Sequence, residues 1–215
     1  MVPEVAVTLM PAGVPGAVSA ARPQLIRALN EQLLLGHIRD LAPCSRAELA
    51  RLSGLSKPTV SLALAALERA GLVRPAGQRT GRPGRSAVLY EIRPEAGFVL
   101  GLDIGGQYVR GALADLAGGI RARASARSRA ASGRGRAEEL ITLADDLCAQ
   151  EGLARSGVIQ TVIGSPGVYD PRRDAMALTG DLPGWDRPAV LARLRGAFGD
   201  SLVVENDVDA AALAE

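Results

Sequence analysis

Three groups of residues in this 215-residue chain have the types and spacing to do chemistry. The first is Ser56-Lys57-Pro58-Thr59-Val60-Ser61, followed by the arginine-rich Gly81-Arg82-Pro83-Gly84-Arg85. At the exposed start of a helix, Lys57, Thr59 and Ser61 would meet a DNA major groove, with the helix dipole turned toward phosphate. The Gly-Arg-Pro-Gly-Arg stretch is extended and narrow, suited to laying Arg82 and Arg85, with Arg79 beside them, in a minor groove. The second group is Asp103-Ile104-Gly105-Gly106, which sets a carboxylate and bare backbone N–H groups near a phosphate or a metal-bound phosphate. The third is Asn206-Asp207, where a carboxylate accepts hydroxyl protons and an amide both donates and accepts, as a hydroxylated ligand requires. In a phosphotransferase such an aspartate is the base that takes the proton from the attacking hydroxyl. The plain structural alternative for Asp207 is a helix N-cap.

These groups need elements to hold them. Leu25, Ile26, Leu29, Leu33 and Ile38 recur at helical spacing and predict a helix over Arg22–Arg39. Ser45 with Glu48 is a capping-box pattern that opens a short helix, and Gly54 tolerates the tight left-handed turn that ends it. Ser56 caps the next helix, with Val60, Ala63, Leu64 and Leu67 on its inner face. Leu72–Arg74 and Ala87–Ile92 read as strands around a long basic tip from Pro75 to Ser86. Two short helices joined by a glycine turn, then a hairpin, make a winged helix-turn-helix. No acidic residue falls between Glu68 and Glu91, whereas five arginines do (Arg69, Arg74, Arg79, Arg82 and Arg85).

The rest of the chain alternates strand and helix. Gly97–Ile104, Tyr108–Asp115 and Ile120–Ala126 read as three meandering strands, the last with arginines on one wet face. Ser128–Arg136 reads as a loop, Glu138–Cys148 as a helix, Val158–Ile163 as a strand and Pro188–Phe198 as a helix. Leu202–Val204 is a further strand ending at Glu205-Asn206-Asp207, before an alanine-rich helix. The fold class is therefore mixed α/β, with candidate residues gathered at strand ends.

Composition narrows the class. With 47% apolar and 22% charged residues the chain buries a real core. Its net charge of +2 divides unevenly, about +5 over residues 1–98 and about −3 over 99–215, so the front half is the one suited to a polyanion. Lys57 is the sole lysine. One histidine, His37, and two cysteines, Cys44 and Cys148, exclude a Cys/His zinc site and a disulfide scaffold. No apolar run is long enough to span a membrane, and Pro3, Pro11 and Pro15 interrupt a start that lacks the basic region of a secretory signal. The expected organisation is a disordered leader over 1–21, a DNA-binding domain over 22–95 and an α/β lobe over 96–215, in a cytoplasmic protein.

The ordered combination is more specific than its parts. A winged helix, then Leu102-Asp103-Ile104-Gly105-Gly106, Gly164-Ser165-Pro166-Gly167, Leu182-Pro183-Gly184-Trp185 and Glu205-Asn206-Asp207-Val208-Asp209-Ala210-Ala211-Ala212 resembles the ROK family of repressors and sugar kinases. The resemblance implies the first lobe of an actin-like ATPase (sugar-kinase-like) fold, with the second lobe absent and the chain truncated. It implies a vestigial phosphate-binding turn at Asp103, Gly105 and Gly106, and sugar binding at Pro166, Gly167, Asn206 and Asp207. Members with a winged helix are sugar-responsive repressors, which implies an operator duplex and a small sugar as partners, a homodimer once the second lobe is supplied, and no cofactor or catalytic residue. The alternative is an ATP-dependent sugar kinase with Asp207 as its base. Gln107-Tyr108 stands where the kinases carry Thr-Lys, and Asp181 and Asp209 stand where asparagine is usual, which weighs against ATP use. A further alternative, a winged helix used for protein contact, leaves the run of arginines without a purpose.

Overall fold

Ser45 and Ser56 place the two short helices. In the computed structural model, which describes residues 18–80, 86–180 and 182–206, both serines act as N-caps. Helix α1 spans Val18–Leu41, strand β1 Cys44–Ser45, helix α2 Arg46–Ser53 and helix α3 Lys57–Arg69. Ser45 and Glu48 form the reciprocal capping box, and Gly54 ends α2 at φ 69°. On α3 the buried residues are Val60, Ala63, Leu64 and Leu67, the four that helical spacing selects. Strands β2 (Val73–Thr80) and β3 (Ser86–Ile92) complete a three-stranded sheet in the order β1-β3-β2. This is the winged arrangement, and its strands run further into the basic stretch than Leu72–Arg74 alone. Pro75 sits on β2, an edge strand, the position in a sheet where proline is tolerated.

Two expectations for this region change. Helix α1 starts at Val18, so residues 18–21 are helical rather than part of a leader, and 1–17 lie outside the described residues. Its buried side chains are Leu34 and Ile38, whereas Leu25, Ile26, Leu29 and Leu33 stay exposed. The periodicity found the helix but mixed two faces of it.

The chain divides into two compact units with the break between Glu91 and Ile92. In the second unit β4 (Phe98–Ile104), β5 (Tyr108–Asp115) and β6 (Ile120–Arg127) form an antiparallel meander. Helix α4 (Gly133–Gln150) leads to β7 (Val158–Ser165), a small β8–β9 hairpin (Val168–Asp170, Ala175–Ala177), α5 (Pro188–Phe198) and β10 (Leu202–Asn206). The five-stranded sheet has the order β10-β7-β4-β5-β6, with β4, β7 and β10 parallel. Alternate residues of the strands, among them Leu100, Leu102, Ile104, Val109, Leu113 and Ile163, pack with Leu140, Ala144, Leu147, Trp185 and Leu194 into one core. No described helix is long and apolar enough to cross a membrane.

Here the structure corrects one boundary and adds one element. Residues 133–136, expected to be loop, are the first turn of α4. Their glycine-rich composition disfavours helix, but Ser132 caps Gly135 N–H, Gly133 packs against another backbone and Arg136 is bonded in the interior. Tertiary contacts override propensity there. The β8–β9 hairpin carries no sequence signal strong enough to have announced it.

Candidate functional site

The outward face of α3 consists of Lys57, Pro58, Ser61, Leu62, Ala65 and Arg69, all exposed. Lys57 and Ser61, one turn apart, line a groove of about 450 Å³ with Arg46, Ala47, Ser86, Ala87 and Val88, between α3, the start of α2 and the wing strand β3. Thr59 turns the other way, toward Arg27, Asn30 and Glu31 of α1. Its hydroxyl is 2.8 Å from Ser56 Oγ and its N–H caps on the same atom, so it serves the helix start. The nominated trio is therefore divided, with Lys57 and Ser61 together and Thr59 apart. Sequence reading missed Pro58, Leu62 and Arg46. Leu62, 74% exposed, is visible as the complement of the buried set Val60, Ala63, Leu64 and Leu67. Arg46 lies 5.4 Å from the Tyr90 ring centroid and donates to its hydroxyl.

The arginines of the wing are not the unpaired run that the local sequence suggests. Arg79 binds Glu48 of α2 at 2.6 Å and Arg74 binds Glu91 of β3 at 2.8 Å, both across long sequence separations. Arg69 donates back to the Ala65 carbonyl. Arg82 and Arg85 lie outside the described residues.

Glu48 is the hub of this arrangement. Its carboxylate accepts from Ser45 N–H and Ser45 Oγ and pairs with Arg79. Those bonds, the Ser45 backbone first, hold its carboxyl down at about 2. A carboxyl held below its unfolded value contributes stability that is complete above the ordinary carboxylate range and is lost as pH falls toward that depressed value. The winged helix is therefore expected to lose stability between about pH 4.5 and pH 2, and Glu48→Gln to flatten that loss, as measured by denaturant midpoint against pH.

At the other candidate site, the parallel register brings the strand ends together: Asp103 lies opposite Gly164, and Asn206 opposite Ser165. Asp103 faces the side of the sheet that α4 leaves uncovered, in a hollow of about 670 Å³ with Gly101, Arg110, Ala112, Arg123, Ser125 and Gly164. Its carboxylate is held by Arg110 at 3.1 Å. Beyond it, Gly105 N–H donates to the Tyr108 carbonyl, and space above Gly106 is open. Tyr108 is half-exposed, with the Arg110 guanidinium 5.8 Å from its ring centroid. A bulky ring thus stands at the end of the turn.

Asn206 Nδ2 donates to the Gly167 carbonyl at 2.7 Å, so the amide and the Pro166-Gly167 loop form one edge. Gly167 has φ 97°, and a Cβ there would lie 2.3 Å from the Ala177 carbonyl oxygen. Only glycine fits. Ser165, fully buried, donates to the Pro166 carbonyl and accepts from Trp185 Nε1 at 2.7 Å. The structure therefore gathers Pro166, Gly167 and Asn206, while Asp207 lies outside the described residues, as do Asp181 and Asp209. Beside the loop, Leu178 is 85% exposed at φ 56°, a conformation leucine rarely adopts. The two thiols, Cys44 and Cys148, are free and buried, and burial pushes both up.

Comparison with known proteins bears on both units. The ROK family model matches residues 99–215, and the MarR family model matches residues 29–86. The xylose repressor of Bacillus spizizenii is 38% identical over 95 residues, which is 44% of this chain and 25% of that protein. The xylose repressor of Bacillus subtilis strain 168 is 27% identical over 190 residues, 88% of this chain and 49% of that protein. Among solved structures, a ROK family transcriptional regulator described as a homolog of the E. coli MLC protein matches with a TM-score of 0.66 at 21% identity. That match covers 88% of this chain and 48% of the other, and it establishes a shared fold. The chain spans about half the length of the curated relatives it matches along most of its own length.

Proposed function

The chain belongs to the ROK family, and from that premise we propose that it is a sugar-responsive, DNA-binding repressor of carbohydrate-use genes, acting in the cytoplasm. Residues 22–95 form the DNA-binding module and 96–215 the first lobe of the sensor. The observation that carries this reading is the exposed face of α3, on which Lys57 and Ser61 line a groove shared with the wing and Leu62 stands exposed toward α1. Two protomers would read half-sites about one helical turn apart, or a multiple of it. Lys57 and Ser61 contact the duplex from α3, with Thr59 holding the helix start, and Arg79, Arg82 and Arg85 reach from the wing. Leu62 offers an apolar surface to a thymine methyl.

Pro166, Gly167, Asn206 and Asp207 take the sugar, whose binding weakens the operator complex. Because curated relatives are named xylose repressors, D-xylose is the first effector to test. The turn at Asp103, Gly105 and Gly106 is a vestige of a phosphate site. Arg110 on Asp103 and Tyr108 at the turn support a lobe that binds rather than phosphorylates. With ATP and D-xylose the chain is expected to form no sugar phosphate, and formation of one would revive the kinase reading.

Leu62 gives a test of base reading separate from charge. Leu62→Ala is expected to lower affinity for the operator roughly tenfold, about 1–2 kcal/mol, while leaving affinity for a scrambled duplex unchanged. Equal losses on both duplexes, measured by fluorescence anisotropy, would count against a specificity role.

A further inference from the structure

Arg136 and Trp185 lie on different elements, and neither belongs to the set that would touch sugar or phosphate. We propose that they are positioning residues at the two ends of one strut, the first turn of α4, which ties the Gly105-Gly106 turn to the Pro166-Gly167 loop. The inference rests on the reading of that loop as the sugar site.

At one end Arg136 is buried to 7% exposure and donates to the carbonyl oxygens of Gly105 (3.2 Å) and Gly106 (3.3 Å), and to Ser128 Oγ. Glu139 closes the cluster by accepting from Ser128 Oγ and from the backbone N–H groups of Arg129 and Ala130. Arg136 Nε has no partner among the described residues. Burying a cation with one N–H unmet is costly, so the site retains it against a stability cost. Its effect on the turn is definite. In a trans peptide the C=O and the following N–H point opposite ways, so carbonyls drawn inward turn the N–H groups of Gly106 and Gln107 outward.

At the other end Gly133, three residues before Arg136 on the same turn, is buried against the backbone of Gly184 and Trp185. Trp185, itself buried, then holds Ser165 at the head of the Pro166-Gly167 loop, and Asn206 holds the loop's far side. The path from Gly106 to Gly167 thus runs through hydrogen bonds and one backbone contact, with Arg136, Gly133, Trp185 and Ser165 buried along it. A helix turn is stiff, so displacement at one end is felt at the other.

The test is amide hydrogen exchange on the full chain without ligand. Arg136→Gln is expected to raise exchange about tenfold at Gly105, whose N–H is bonded to the Tyr108 carbonyl, and by a similar factor at Ser165 and Val168, with Leu100 and Leu113 in the sheet core unchanged. Arg136→Lys, which keeps a cation for the carbonyls, is expected to restore most of the protection. A rise confined to Gly105 would overturn the strut. Should Arg136→Gln unfold the lobe, Trp185→Phe tests the same link from the other end, and unchanged exchange at Gly105 there would equally overturn it. Because no sugar is present, a D-xylose titration that leaves DNA bound strikes the sugar reading and leaves this result standing.

Discussion

Gly133→Ala is expected to destabilise the 92–215 unit by about 3 kcal/mol, at the upper end of what overpacking a core costs. The added Cβ would stand 2.2 Å from the Gly184 carbonyl oxygen and 2.7 Å from Trp185 N. Both neighbours are backbone, so no side-chain rotation relieves the clash. Relief requires α4 to back away from the Pro183-Gly184-Trp185 turn, which strains the Trp185–Ser165 bond as well. Gly196→Ala supplies the control, since a Cβ there meets nothing within 4 Å on helix α5. That substitution is expected to stabilise by up to about 1 kcal/mol through helix propensity and a less free unfolded chain. Trp185 is the sole tryptophan, so its fluorescence reports unfolding of this unit alone. Gly133→Ala with an unchanged denaturant midpoint would contradict the packing described for α4.

Operator affinity is expected to fall steeply with salt, with a slope of log K on log salt near −5 per protomer if about six side chains neutralise phosphates. Between 50 and 200 mM salt that is roughly a thousandfold loss. The geometry says which side chains carry it. Lys57 is exposed beside the groove between α3 and the wing, and Lys57→Ala is expected to reduce the slope by about 1. Arg74 is bound to Glu91 on the neighbouring strand, and Arg74→Ala is expected to leave the slope unchanged. Arg79 stands between these cases, because the Glu48 carboxylate must release it before it can meet phosphate. A flat salt dependence would indicate a protein-contact module instead.

The contrast between Ser45 and Gly133 shows which parts of the fold were legible. Ser45 acts on an N–H three residues away, so its chemistry is complete within the local sequence and the start of α2 follows from it. The inner face of α3 is equally local, and all four of its residues fall where spacing puts them. Gly133 and Arg136 answer to Gly184 and to Gly105-Gly106, contacts no local window contains, and so the first turn of α4 reads as loop. The wing arginines show the same limit in charge: their acidic partners Glu48 and Glu91 come from other elements. In the second unit the register delivers Pro166, Gly167 and Asn206 to one place, as strand-end residues in an α/β sheet should be. What holds them, Ser165 under Trp185, is a hydrogen bond spanning twenty residues of sequence. Spacing alone offers no reason to pair them.

Fluorescence anisotropy of the full chain on DNA from its own upstream region, against a scrambled duplex and with D-xylose titrated in, tests the central claim most directly. The account predicts preference for the native duplex, steep salt dependence and weakening by D-xylose worth about 1–3 kcal/mol of coupling. Equal, weak binding to both duplexes, unaffected by the sugar, would contradict it.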